Sequence, residues 1–126
     1  MKNIILYFLF FLIPAIVFMQ EFKELLPPDN LVGDFSKNTL TLNWKAPADW
    51  DSLTYDVFKA TVFDTSNIDV EILKFQVIGS TTETKIEEHY SDIKNLSHIA
   101  FMYYVVAKDT NDAESIRSNY CLMNIK

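Results

Sequence analysis

Past residue 26, apolar and polar side chains alternate with a period of two, and clusters of Asn, Asp, Ser, Gly and Pro separate the alternating stretches. Period two sends successive side chains to opposite faces of an extended chain, so each stretch reads as a β-strand with one face to a core and one to water. The clearest case is Thr39–Lys45: Leu40, Leu42 and Trp44 alternate with Thr41, Asn43 and Lys45, and Pro47 ends the run. The same pattern predicts strands within Asn30–Phe35, with Leu31 inward, and over Leu53–Ala60, Glu71–Ile78, Thr81–Glu87, Phe101–Lys108 and Ile116–Ile125. In the third of the seven, Tyr55 and Val57 share one face, Asp56 and Phe58 the other. Turns are expected at Ser36–Asn38, Gly79-Ser80 and Asp109–Glu114. No stretch shows the periodicity of an amphipathic helix. Seven short strands in about 100 residues predict an all-β domain, a seven-stranded antiparallel sandwich of two sheets.

The first 20 residues break the pattern. Ile4–Met19 is apolar and uncharged, follows Lys2, and is closed by Gln20 and Glu21, which predicts an N-terminal hydrophobic helix that targets the chain to a membrane. It is either a cleaved signal sequence or an uncleaved transmembrane anchor. As a helix it would rise about 24 Å at roughly 1.5 Å per residue, short of about 30 Å of hydrocarbon, although Lys2, Asn3 and Gln20 can reach toward the interfaces. A cleavage site calls for small residues in an Ala-x-Ala-like pattern, and Ala15, Val17 and Met19 do not supply one. The uncleaved anchor is therefore the favoured reading. Lys2 on the amino side predicts a cytoplasmic N-terminus and an extracytoplasmic domain, periplasmic or at the cell surface. Residues 21–28 form a short linker stiffened by Pro27 and Pro28, leaving 29–126 as the domain. With the anchor kept, the domain stays close to the bilayer, a position suited to a subunit packed against other membrane proteins.

Composition narrows the function classes. The 126 residues carry a net charge of −6, and every acidic residue and every basic one except Lys2 lies beyond Gln20. An acidic domain without a basic stripe is a poor nucleic-acid binder, because phosphate neutralisation supplies most of that affinity. His89 and His98 stand nine apart without His-x-x-x-His spacing or a cysteine nearby, so a zinc site is not expected. Asp109, Asn111, Asp112 and Glu114 have the look of a calcium loop but lack its glycine, and a polar hairpin turn explains them. Cys121 is the only cysteine, which leaves a strand thiol or a bridge between chains. Glycine-rich phosphate loops and nucleophile elbows are absent, so no catalytic residue, metal or cofactor is expected. The Ile, Lys, Asn and Phe bias reads as bacterial, and with it the acceptor Asn95-Leu96-Ser97 loses weight.

Pro28 and Leu31, Trp44, Ala46-Pro47, Tyr55-x-Val57 and Tyr103-x-Val105-x-Ala107 resemble the fibronectin type III family over roughly Leu26–Lys126. The resemblance implies that Trp44 and Tyr55 are core and that Tyr103 is a corner tyrosine whose hydroxyl ties back to the preceding loop. It departs from the family where Leu96 is followed by Ser97 and His98, and in having only Gly33 and Gly79. Members of the family usually bind or space, and no Arg-Gly-Asp is present. With Tyr103, Val105 and Ala107 inward, Tyr104, Val106 and Lys108 point outward beside Phe58. Phe58, Tyr104 and Val106 thus form a candidate partner-binding patch, unless the loop around Thr61–Asp69 or the membrane side covers them. Trp50, between Asp49 and Asp51, is a second candidate: it either docks on a sugar or into a pocket, or folds back onto the sandwich edge. The expected function is a non-enzymatic protein-interaction domain, a membrane-anchored accessory subunit of an envelope complex. The alternative is a secreted carbohydrate-binding or adhesive module with Trp50 as its contact.

Overall fold

The computed structural model describes residues 24–91 and 99–124; the N-terminal segment, Asn95-Leu96-Ser97 and His98 lie outside them. Within this range β1 (Asp29–Ser36), β2 (Thr39–Lys45), β3 (Thr54–Val62), β4 (Gln76–Thr81), β5 (Lys85–His89), β6 (Ala100–Lys108) and β7 (Cys121–Asn124) build two sheets. One has the order β1-β2-β5 and the other β4-β3-β6-β7, with every pairing antiparallel. On β2, Leu40, Leu42 and Trp44 are buried while Asn43 and Lys45 are exposed, as the alternation requires. Two residues, Lys37 and Asn38, join β1 to β2. Both have positive φ (53° and 65°), the type I′ geometry whose twist suits a two-residue hairpin.

The core lies between the sheets. Leu31, Leu40, Leu42 and Trp44 from one meet Tyr55, Val57, Tyr103, Val105 and Ala107 from the other. Full burial of an aliphatic or aromatic side chain of this size is worth about 1.5–3 kcal/mol. Trp44 and Tyr55 meet edge to face at 5.4 Å, so the core roles implied for both are realised. β3 pairs with β6 along its whole length, Thr54 opposite Lys108 through Val62 opposite Ala100.

Three predicted strands are displaced. The fourth begins at Gln76, not Glu71, because Val70, Leu73 and Phe75 pack with Ile68 on Val62, Ala100 and Met102 as a second apolar cluster outside the sandwich. Asp69 turns the chain there: its carboxylate accepts the Glu71 N–H and its carbonyl that of Ile72. Gly79 is a strand residue, not a turn. A Cβ at Gly79 would lie 3.1 Å from Ile86 Cδ1 on β5 across the sandwich, so this position is kept small by packing. The reversal falls instead at Thr82–Thr84, and β5 starts at Lys85.

The last strand shortens to Cys121–Asn124 because serine side chains replace the ladder before it. Ser115 and Ser118 donate their N–H groups to the carbonyls of Ala107 and Val105. Their hydroxyls in turn accept the N–H groups of the same two residues, each at 2.9 Å. Next to them, the Asn119 amide accepts the Leu31 N–H at 2.9 Å and donates to the Leu31 carbonyl at 3.0 Å, stitching β1 to the opposite sheet.

The Tyr103 hydroxyl donates to Glu88 Oε1 on β5 at 2.6 Å and lies 3.3 Å from the hydroxyl of Tyr90 at the start of the preceding connection, so the expected tie to that loop is joined by one to the facing sheet. It reaches that sheet because Tyr103 points into the core from a central strand, and Glu88 is the inward polar group across from it. Lys59 Nζ completes the cluster, 3.1 Å from Glu88 Oε2 and 2.9 Å from the Tyr90 hydroxyl, with its charge 4.0 Å from the centre of the Phe101 ring. Burial and the Glu88 carboxylate hold the Tyr103 phenol well above its ordinary range.

Candidate interaction surface

The outward face of β4-β3-β6-β7 carries the residues singled out in the sequence. Phe58 on β3 and Tyr104 on β6 are directly opposed in register, and their rings stack at 4.6 Å with 13° between planes. Phe75, arriving from the long β3–β4 connection, tilts onto Tyr104 at 4.8 Å. Tyr120 meets Tyr104 edge-on at 5.9 Å, and the Arg117 guanidinium lies 4.9 Å over the Tyr120 ring. Four aromatic side chains thus form one continuous layer over the middle of the sheet. Burial and the nearby Tyr120 raise the Tyr104 phenol, with Arg117 acting the other way.

Exposure on this face is uneven. Phe58 and Tyr104 are half-buried, but Val106 is only 9 % exposed and gives a partner almost no surface, contrary to the exposed patch expected of it. The long connection covers the lower part of the face, the role the covering loop was allowed, although the covering residues are Ile68 to Phe75. Val77, opposite Phe58 on β4, is 52 % exposed, and Leu122, opposite Met102 on β7, is 37 % exposed. The accessible apolar strip therefore runs from Val77 across Phe58 and Tyr104 to Leu122. Above it, the Asp56 carboxylate takes the Ser80 hydroxyl and Lys108 Nζ, the latter at 2.9 Å. Burial acts to raise the Asp56 pKa, but those two hydrogen bonds and the lysine charge outweigh it, and the carboxyl lies below the ordinary carboxylate value.

Trp50 sits at the end of the sandwich where the chain enters. Half-buried, it packs against the main core and lines an open cleft of about 470 Å³ with Asp51, Thr54, Thr82, Thr84 and Asp109. Of the two alternatives raised for it, Trp50 takes the second, folding back onto the core at the sandwich edge, while one side of it fronts an open cleft of mixed polar and apolar lining.

The other residues considered, where described, make local contacts. Asp109 Oδ1 accepts the N–H groups of Asn111 and Ala113, which ties the acidic run into a turn. His89 is exposed on β5 with Nδ1 3.0 Å from Thr39 Oγ1. Among the described residues no three His, Cys, Asp or Glu side chains converge on a point that could hold a metal. Cys121 is half-buried on β7, and burial raises its thiol despite a hydrogen bond to the Gly33 backbone. Phe75, Tyr120 and Arg117 were missed because their neighbours read as regular strand.

No protein-family model matches the sequence, and no curated protein does. Solved structures do. An Fn3-like protein from Clostridium thermocellum matches at TM-score 0.51 and 22% identity over 75% of this chain and 86% of its own. A titin module from human cardiac muscle matches at TM-score 0.55 and 19% identity over 79% and 89%. A β-1,2-glucanase from Parabacteroides distasonis matches at TM-score 0.60 and 15% identity, over 81% of this chain but 13% of the enzyme. At these identities the likeness is one of fold: an all-β sandwich of the fibronectin type III and immunoglobulin-like kind.

Proposed function

We propose that this chain is a non-catalytic binding domain that works by protein contact, held on the extracytoplasmic side of a membrane as an accessory subunit of an envelope complex. The observation that carries the reading is the aromatic layer of Phe58, Tyr104, Phe75 and Tyr120, bordered by exposed Val77 and Leu122. Rigid aromatic anchors on a flat sheet lose little conformational entropy on docking and dominate interface energetics. The segment Ile4–Met19 and the short proline linker support the membrane placement. The test is recovery of cross-linked partners from solubilised membranes of the source cells. Leu122→Asp, which puts a charge in the strip without touching the core, should reduce recovery at least tenfold while the circular dichroism spectrum is unchanged. Undiminished recovery excludes this face.

One observation favours a second reading, that of a carbohydrate-binding module: Trp50 fronts a cleft that mixes apolar walls (Ala46, Leu53) with the hydroxyls and carboxylates of Thr54, Thr82, Thr84, Asp51 and Asp109, a combination suited to stacking and hydrogen bonding on a sugar. The fold also recurs as a small part of a glucanase chain. Binding of soluble glucans, lost in Trp50→Ala, would support it; no binding across a glycan panel would remove it.

A further inference from the structure

A sandwich of two open sheets has four edge strands, and each edge offers unpaired backbone groups to another chain unless something protects it. Here β1, β4, β5 and β7 are the edges. β5 reads Lys-Ile-Glu-Glu-His and is protected by charge. β1 carries Asp29 and Asp34, and Asn119 of the opposite sheet binds it through both the Leu31 N–H and carbonyl. β7 has four residues, and Met123 packs so closely on Gly33 of β1 that a Cβ there would lie 2.6 Å from its sulfur. β4 is different. Its sequence, Gln-Val-Ile-Gly-Ser-Thr, holds no charge and no proline, its sheet neighbour is β3 alone, and its one irregularity is a register shift at Ile78, between the pairs Val57–Gly79 and Phe58–Val77. Beside it, Phe63 and Ile72, 79 % and 74 % exposed, rim a groove of about 500 Å³ floored by Ile78, Leu73 and Lys59.

We infer that β4 is the docking edge for a second copy of this chain, paired antiparallel about a two-fold axis so that the two four-stranded sheets become one. The charges flanking the strand select this occupant and this direction. Lys74 stands just before β4 and Glu83 just after it, both exposed. Antiparallel self-pairing brings each Lys74 alongside the other copy's Glu83, whereas parallel pairing would set lysine by lysine and glutamate by glutamate. The uncharged strand between them lets both edges pair without burying a charge. A two-fold contact of this kind also closes on itself, using up both exposed edges where an open edge would invite aggregation.

The inference does not rest on the aromatic rings; Val77 alone is common to β4 and the strip, and the charge variants of the test lie outside it. The full chain in detergent micelles is followed by light scattering over about three decades of concentration, with hydrogen exchange read at Val77–Ser80. The expected result is a dimer whose formation slows exchange of β4 amides. Lys74→Glu should weaken it about tenfold, and the double variant Lys74→Glu/Glu83→Lys should restore it. A monomer throughout the range overturns the inference. So does a dimer equally tight in Lys74→Glu, which is the result that association through the apolar N-terminal segment would give.

Discussion

Asp56 shows how much one polar residue on the outer face is asked to do. It is 8 % exposed, and the Ser80 hydroxyl and Lys108 ammonium compensate its carboxylate. Because its pKa lies below the ordinary 3.8 in the folded chain, the folded state binds the proton less readily than the unfolded state. The stabilisation is therefore complete above the unfolded value and lost as pH falls through the folded one. Asp56→Asn should cost about 1.5–3 kcal/mol at pH 7, the range for hydrogen bonds to a charged group. The difference from wild type should shrink below pH 4, where wild type loses the same contribution. Denaturant titrations at pH 7 and pH 3 check it; an equal deficit at both values contradicts the assignment. Val106, the next outward position beyond Tyr104 on β6, gives the complementary lesson: facing outward is not the same as being accessible.

Among the elements, the β1–β2 hairpin makes the sharpest demand, since Lys37 and Asn38 both take positive φ. Asn and Gly tolerate that region, whereas a long side chain such as lysine pays for it sterically. Lys37→Asn/Asn38→Gly retains the Asn38 carbonyl that accepts the Tyr90 N–H and should stabilise the domain by about 1 kcal/mol, a rise of several degrees in Tm. An unchanged or lower Tm would mean the turn is not strained. Legibility followed the same divide between periodic and tertiary signals. β2 and β6 were readable because their alternation meets a core on one side, and Trp44, Tyr55 and the stacked pair Phe58 and Tyr104 follow from that register. β4 and β7 slipped because their limits are set by contacts distant in sequence. Phe75 leaves the ladder to cover Met102, Gly79 stays in it to clear Ile86, and Ser115 and Ser118 satisfy β6 with their side chains. For the same reason the aromatic layer was half legible: two of its rings lie on regular strands, and the other two reach it from irregular segments.

For the molecule as a whole, the outward faces and edges divide the surface by role. The three-stranded sheet presents Val32, 58 % exposed, as an isolated apolar residue, which is ordinary for a soluble surface. The four-stranded sheet presents the continuous aromatic strip, and its β4 edge the uncharged strand. Protein contact through the strip is the central claim, and site-specific photo-crosslinking in the source cells tests it most directly. A photoreactive amino acid at Leu122 should cross-link one discrete protein other than this chain, while the same probe at Val32 should give none. Discrete products from Val32 and none from Leu122 would contradict the account.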